Sequence, residues 1–216
     1  MENKAELQPY SVLMSVYSGE IPEFFAQSLE SLYIQTYPAD EIVVVCDGEL
    51  NEQLDGVLEQ YSEKFGGKLK IHRLESHGGT AKCANTGLAI CKNEYIMKMD
   101  SDDICLENRA EKQMTYLAQH PEVSILGSYI QEFDSNTGND IAVRKPPTEN
   151  EAIRKFAKRR APFNNQTLVY KKSLAQSIGG YCEELERCED YDFMVRMLIG
   201  LSLIHISEPT RHLRIS

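Results

Sequence analysis

Two hydrophobic periods alternate along the first hundred residues. Short apolar runs at Tyr10–Val16, Glu41–Cys46, 70–74 and 95–99 read as strands. The β-branched run Ile42-Val-Val-Val45 fits a strand covered on both faces. Helical spacing fills the gaps. Pro22 suits a first helical turn, Phe25, Leu29, Leu32 and Tyr33 give a stripe, and Tyr37-Pro38 marks its end. Leu54, Val57, Leu58 and Tyr61 predict a second helix over 50–65, stopped at Gly66-Gly67. His77-Gly78-Gly79-Thr80 opens a third through Ala84, Leu88 and Ala89. Later positions predict helices over 107–120, 149–160, 173–178 and 189–201. Strands are predicted over 123–133, 141–143 and 167–170, with a hairpin turn over 134–140.

Four strands alternating with three helices predict an α/β fold, a Rossmann-like, mostly parallel sheet flanked by helices. A smaller region in the second half follows it. Ligands of such sheets bind beyond the carboxyl ends of the strands, where Asp47 and Asp100 both fall. The run Lys98-Met99-Asp100-Ser101-Asp102-Asp103 ends its strand in three carboxylates. Asp100 and Asp102 would share one side of the pleat. An oxygen-rich pair of that kind suits a hard divalent ion, Mn²⁺ or Mg²⁺. Taken alone, Asp-rich turns and Asp47-Gly48 are ordinary surface punctuation.

Composition narrows the classes. The chain has 216 residues, enough for one domain with a substantial core. Its formal net charge of -10 argues against a general nucleic-acid binder, which usually carries a basic face. The six cysteines show no zinc-like spacing, which gives the expectation of reduced core thiols. No apolar run approaches the roughly 20 residues of a membrane span. The polar stretch Met1 to Gln8 lacks a signal-peptide core, so a cytoplasmic location is expected.

Three features, in order, resemble family 2 glycosyltransferases with the GT-A fold: the Val-rich strand ending in Asp47-Gly48, Met99-Asp-Ser-Asp-Asp103, and Glu189-Asp190-Tyr191. Longer stretches strengthen the likeness, namely Ser31-Leu-Tyr-Ile-Gln-Thr-Tyr37, the run from Asp103 to Gln113, and Pro162-Phe-Asn-Asn-Gln-Thr167. The match covers roughly residues 10 to 200 and resembles the bacterial branch that builds exopolysaccharide, capsule or lipopolysaccharide. The resemblance implies a metal-dependent, inverting transfer from a UDP-sugar to a saccharide acceptor, lipid-linked on undecaprenyl diphosphate. Asp47 would bind the uracil, with Val16 and Tyr17 flanking the base. Asp102 would hold the metal and Asp100 would lie near the ribose or the metal waters. Lys82 and Asn85 would contact the nucleotide, and Asp190 would be the catalytic base.

Plainer readings stand beside these. The Gly78-Gly79 loop reads first as a helix start and second as a phosphate cradle. Glu189 and Asp190 are also favourable helix-start acids. Arg154, Lys155, Lys158, Arg159 and Arg160 form a basic helix end, read first as a solvated face and second as a contact for anionic lipid at the inner membrane surface. The sequence departs from the family's pattern at Ala84, where Arg is common, and at Asn164-Asn165, where Asn-His is common. The run Ser202 to Ser216 falls outside the resemblance and reads like translated adapter sequence. One domain over 1–201 is therefore expected, with a nucleotide-sugar half at about 8–104, an acceptor half at about 105–201, and a non-native or irregular tail over 202–216. The alternatives are a truncated, catalytically silent nucleotide-sugar binder and, more weakly, a structural divalent-ion protein. The acidic loop lacks the later ligands of an EF-hand.

Overall fold

The computed structural model describes residues 7–200 and the backbone of 205–215. Four parallel strands form its first half: β1 (Tyr10–Val16), β2 (Glu41–Cys46), β3 (Leu69–Arg73) and β4 (Tyr95–Asp100). They are joined by α1 (Pro22–Tyr33), α2 (Glu52–Phe65) and α3 (Gly79–Ile90). The second half holds β5 (Ile104–Cys105), α4 (Arg109–Gln119), β6 (Ile125–Asp134), β7 (Asp140–Arg144), α5 (Asn150–Ala157), β8 (Val169–Lys171), α6 (Lys172–Ser177) and α7 (Glu189–Ile199). Its strands extend the same sheet. The order is β3-β2-β1-β4-β8-β6, with β8 antiparallel to β4, β6 antiparallel to β8, and β7 on the side of β6. The backbone of β9 (His205–Ile215) is a strand, parallel to β6 and antiparallel to β5.

Strand alternation splits the core between the two faces. Val12, Met14, Ile42, Val44, Met97 and Met99 pack beneath α1, α2 and α4. Leu13, Val43, Val45 and Ile96 pack with α3, α5 and α7 on the other side. All six residues of β2 are buried, as its unbroken apolar run requires, whereas the edge strand β3 is largely exposed. Helix α3 lies close to the sheet because of Gly87. A Cβ there would stand 2.1 Å from Leu13 Cδ1.

Helix ends differ from the periodic reading where side chains capture backbone groups. Asn51 caps α2 by accepting from Leu54 N–H at 2.9 Å. Helix α1 stops at Tyr33, and Gln35 turns inward to donate to the Ser31 and Leu106 carbonyls, each at 2.9 Å. Helix α5 stops at Ala157, so Lys158, Arg159 and Arg160 follow it in a turn.

The acidic turn after β4 is fixed from behind. Fully buried Arg109 donates to the Lys98 carbonyl at 2.9 Å and to Gln113 Oε1 at 3.0 Å, and Gln113 in turn donates to the Thr167 carbonyl at 2.8 Å. The Ser28 hydroxyl donates to the Asp100 carbonyl at 2.9 Å. A buried guanidinium clamping the strand backbone just before Asp100 limits where the carboxylates can move.

Candidate active site

The β1–α1–β2 crossover leads to one side of β1, and α3 brings the chain back across it to β4. The gap between β1 and β4 is thus the point where strand order reverses, and a cleft opens there at the carboxyl ends. Its volume is about 790 Å³. Val16 and Tyr17 border it from β1, Asp47 from β2, and Asp100, Ser101 and Asp102 from β4. The 77–81 loop, Cys83, Asn165, Glu183, Glu186 and Glu189 also line it. Register explains the convergence: Val16 is paired with Cys46, and Ser15 with Asp100, so three strand ends finish level.

Asp47 is only 9% exposed, and both its oxygens are engaged. Oδ1 accepts from Gly78 N–H at 2.6 Å and Gly79 N–H at 3.3 Å. Oδ2 accepts from Gly79 N–H at 3.2 Å and lies 2.8 Å from His77 Nδ1. The glycine amides are therefore spent on holding the start of α3. This favours the helix-start reading of the loop over the phosphate cradle. The His77 ring, 76% exposed, is the replaceable partner.

Asp100 and Asp102 both line the cleft, whereas Asp103 is 1% exposed and turned inside. Between them Ser101 is buried and donates its hydroxyl to the Glu20 carboxylate, which ties the turn to the β1–α1 loop. Among the described residues no three acidic, His or Cys side chains form a metal cage. A cage is not needed. Mg²⁺-type ions are commonly held by one or two carboxylates, with phosphate oxygens and waters filling the rest. Asp100 and Asp102 fit that role.

Lys82 does not border the cleft, contrary to the nucleotide contact expected of it. Ala81 and Cys83 occupy the inner face of the first turn of α3, which leaves Lys82 outside and exposed with its stem across Gly78. Asn85 is likewise a structural residue. Its amide accepts from Tyr181 N–H at 2.7 Å and donates to the Tyr181 carbonyl at 2.9 Å and to Glu183 at 2.8 Å. Gly180 makes room for this clamp: its φ is +70°, and a Cβ would lie 2.4 Å from Asn85 Oδ1. Gly180→Ala is expected to destabilise the fold by about 1–3 kcal/mol, seen as a lower Tm, through strain and loss of the clamp.

Asp190 stands in the first turn of α7, half-buried, with Oδ1 accepting from Tyr191 N–H at 2.7 Å. Glu189 beside it borders the cleft. Tyr191 anchors this turn by donating its hydroxyl to the Ala157 carbonyl. The Tyr181 ring stacks on Phe193 at 3.9 Å, and its phenol is pushed well above the ordinary range. Burial is the main cause, followed by Tyr170 and by the negative fields of Asp100 and Asp190. Asp190 itself is not among the residues that border the cleft.

Sequence reasoning did not single out Glu20, His77, Arg109, Glu183 or Glu186. All six cysteines are free, four of them buried. No helix among the described residues is long and apolar enough to cross a membrane.

Comparison with known proteins identifies the class. The chain belongs to glycosyl transferase family 2, whose family model matches residues 11–176. It is 40% identical over 189 residues to the amylovoran biosynthesis glycosyltransferase AmsE of Erwinia amylovora, covering 88% of this chain and 69% of that one. It is 32% identical over 189 residues to the UDP-Gal:α-D-GlcNAc-diphosphoundecaprenol β-1,3-galactosyltransferase of Escherichia coli, covering 88% and 67%. The GT-A fold is shared with S. aureus TarS 1-349, solved in complex with UDP-GlcNAc: TM-score 0.76, 22% identity, 96% of this chain and 59% of that structure.

Proposed function

We propose that the cleft binds a UDP-sugar with Mn²⁺ or Mg²⁺. The chain would then transfer the sugar, with inversion, to a saccharide acceptor carried on undecaprenyl diphosphate during surface polysaccharide synthesis. The observation that carries this is the convergence of Asp47 and the Asp100–Asp102 pair from two strand ends on one cleft, which Glu189 also lines. The Escherichia coli galactosyltransferase supports the acceptor class by the reaction its name states, and AmsE supports the setting of polysaccharide synthesis.

In this reading Asp47 exchanges the His77 imidazole for the uracil N–H, and Val16 and Tyr17 border the base. Tyr17, half-exposed at the cleft rim, offers an aromatic face to it. Asp102, seconded by Asp100, would hold the divalent ion. Bound there, the ion neutralises charge developing on the diphosphate leaving group. Asp190 takes the proton of the acceptor hydroxyl as it attacks the anomeric carbon from the face opposite the leaving group. A single displacement of this kind inverts the anomeric configuration.

The basic run after α5 suits an anionic, lipid-borne acceptor. Lys155, Lys158, Arg159 and Arg160 are all exposed, and their side chains form no ion pairs among the described residues. Ala157, within the run, is the residue whose carbonyl receives Tyr191 next to Asp190. This arrangement supports peripheral contact with the cytoplasmic face of the membrane as part of the reading.

The test is turnover of a set of nucleotide-sugars, with Mn²⁺ or EDTA, against a synthetic saccharide on a lipid diphosphate. Transfer from a UDP-sugar that stops in EDTA is the expected result. Failure with every uridine donor contradicts the reading, and binding without turnover favours a silent nucleotide-sugar binder.

A further inference from the structure

We propose that Asn165 reads a hydroxyl of the transferred sugar and so sets which UDP-sugar is accepted. The inference rests on the UDP-sugar reading of the cleft. Along the carboxyl edge the sheet runs β2, β1, β4, β8. Asp47 follows β2, Val16 and Tyr17 end β1, Asp100 and Asp102 end β4, and Asn165 precedes β8. A UDP-sugar has the same linear order of base, ribose, diphosphate and sugar. With its base at Asp47 and its diphosphate at the acidic pair, the sugar falls at Asn165 and Glu189, which border the same cleft.

Asn165 also has the chemistry left over for this task. In the run Asn164-Asn165-Gln166-Thr167, the Asn164 amide donates to the Ser128 carbonyl at 2.8 Å, and the Thr167 hydroxyl donates to the Asn164 carbonyl at 2.7 Å. The amide oxygen of Asn165 is buried yet receives no hydrogen bond, and its amide nitrogen donates none among the described residues. Its backbone is nonetheless fixed. The Asn165 carbonyl accepts from Leu168 N–H at 3.1 Å, and the Leu168 carbonyl accepts from Lys98 N–H of β4 at 2.8 Å. A buried, unpaired acceptor on a rigid backbone is costly unless a ligand pairs it. Around it the cleft is lined by carboxyl side chains, Glu20, Asp100, Asp102, Glu183, Glu186 and Glu189, with Asn165 as its one carboxamide among the described residues. A neutral carboxamide both donates and accepts, which matches a sugar hydroxyl.

Calorimetric titration of the native chain and Asn165→Ala with UDP, and with UDP-hexoses differing at C2 and C4, tests this in the presence of Mn²⁺. Asn165→Ala is expected to weaken the preferred UDP-hexose about tenfold, to narrow the preference between epimers similarly, and to leave UDP affinity unchanged. Unchanged UDP-hexose affinities and preferences would overturn the inference while leaving the donor reading intact. Equal losses for UDP and UDP-hexose would also overturn it, because Asn165 would then serve the nucleotide or the fold. A native chain that does not bind UDP sinks the donor reading itself.

Discussion

An Asp190→Asn chain is expected to bind UDP and UDP-sugar as the native chain does while its transfer rate falls by about 10²–10⁴-fold, the usual worth of a general base. Asn keeps the shape and the hydrogen bond from Tyr191 N–H but cannot take a proton. Three acids occupy the first turn of α7: Glu189, Asp190 and Asp192. Asp192 is already paired with Arg196 at 2.6 Å, so the choice of base lies between the other two. Asp190 accepts from Tyr191 N–H, whereas Glu189 borders the open cleft. Losing one acid from a helix start costs only about 0.3–1 kcal/mol, so the fold should survive either change. Single-turnover kinetics on Asp190→Asn and Glu189→Gln separate them. A loss confined to Glu189→Gln would move the base by one residue.

Asp102→Ala should lower metal-dependent turnover by about 10²–10³-fold, comparable to removing one strong electrostatic stabiliser of a transition state. The same change should barely alter stability, because Asp102 is exposed at the tip of a turn that Arg109, Ser28 and Ser101 hold from behind. That contrast is informative. A carboxylate serving only the turn would show its loss in Tm and not in rate. Asp103, buried just beyond it, should behave in the opposite way. Steady-state rates across a Mn²⁺ series, beside thermal melts, distinguish the two.

The strands that carry the site were legible because burial on both faces leaves an unmistakable apolar run: β1 and β2 begin and end where the pattern places them. The acidic strand end was legible because three adjacent carboxylates after an apolar run are hard to account for otherwise. What escaped depends on direction and on distant partners. Helical spacing places Lys82 on a first turn but does not tell which way that turn faces, and it faces out. Asn85 has the composition of a ligand contact, yet its amide is taken by the backbone of Tyr181, 96 residues away. Asn164 and Asn165 are the same residue type side by side. Only packing shows that the first is bonded into the fold and the second opens to the cleft. The engagement of Asp47 by His77, Gly78 and Gly79 is likewise a tertiary fact, invisible in Asp47-Gly48 itself.

The central claim is that the edge formed by β2, β1 and β4 is a metal-assisted nucleotide site. Titrating UDP into the native chain and into Asp102→Ala, each with Mn²⁺ and with EDTA, tests it most directly. The account predicts that the native chain binds UDP more tightly with Mn²⁺ and that Asp102→Ala loses this dependence. UDP affinity that ignores the ion in the native chain, or that keeps its full metal dependence without Asp102, would contradict it.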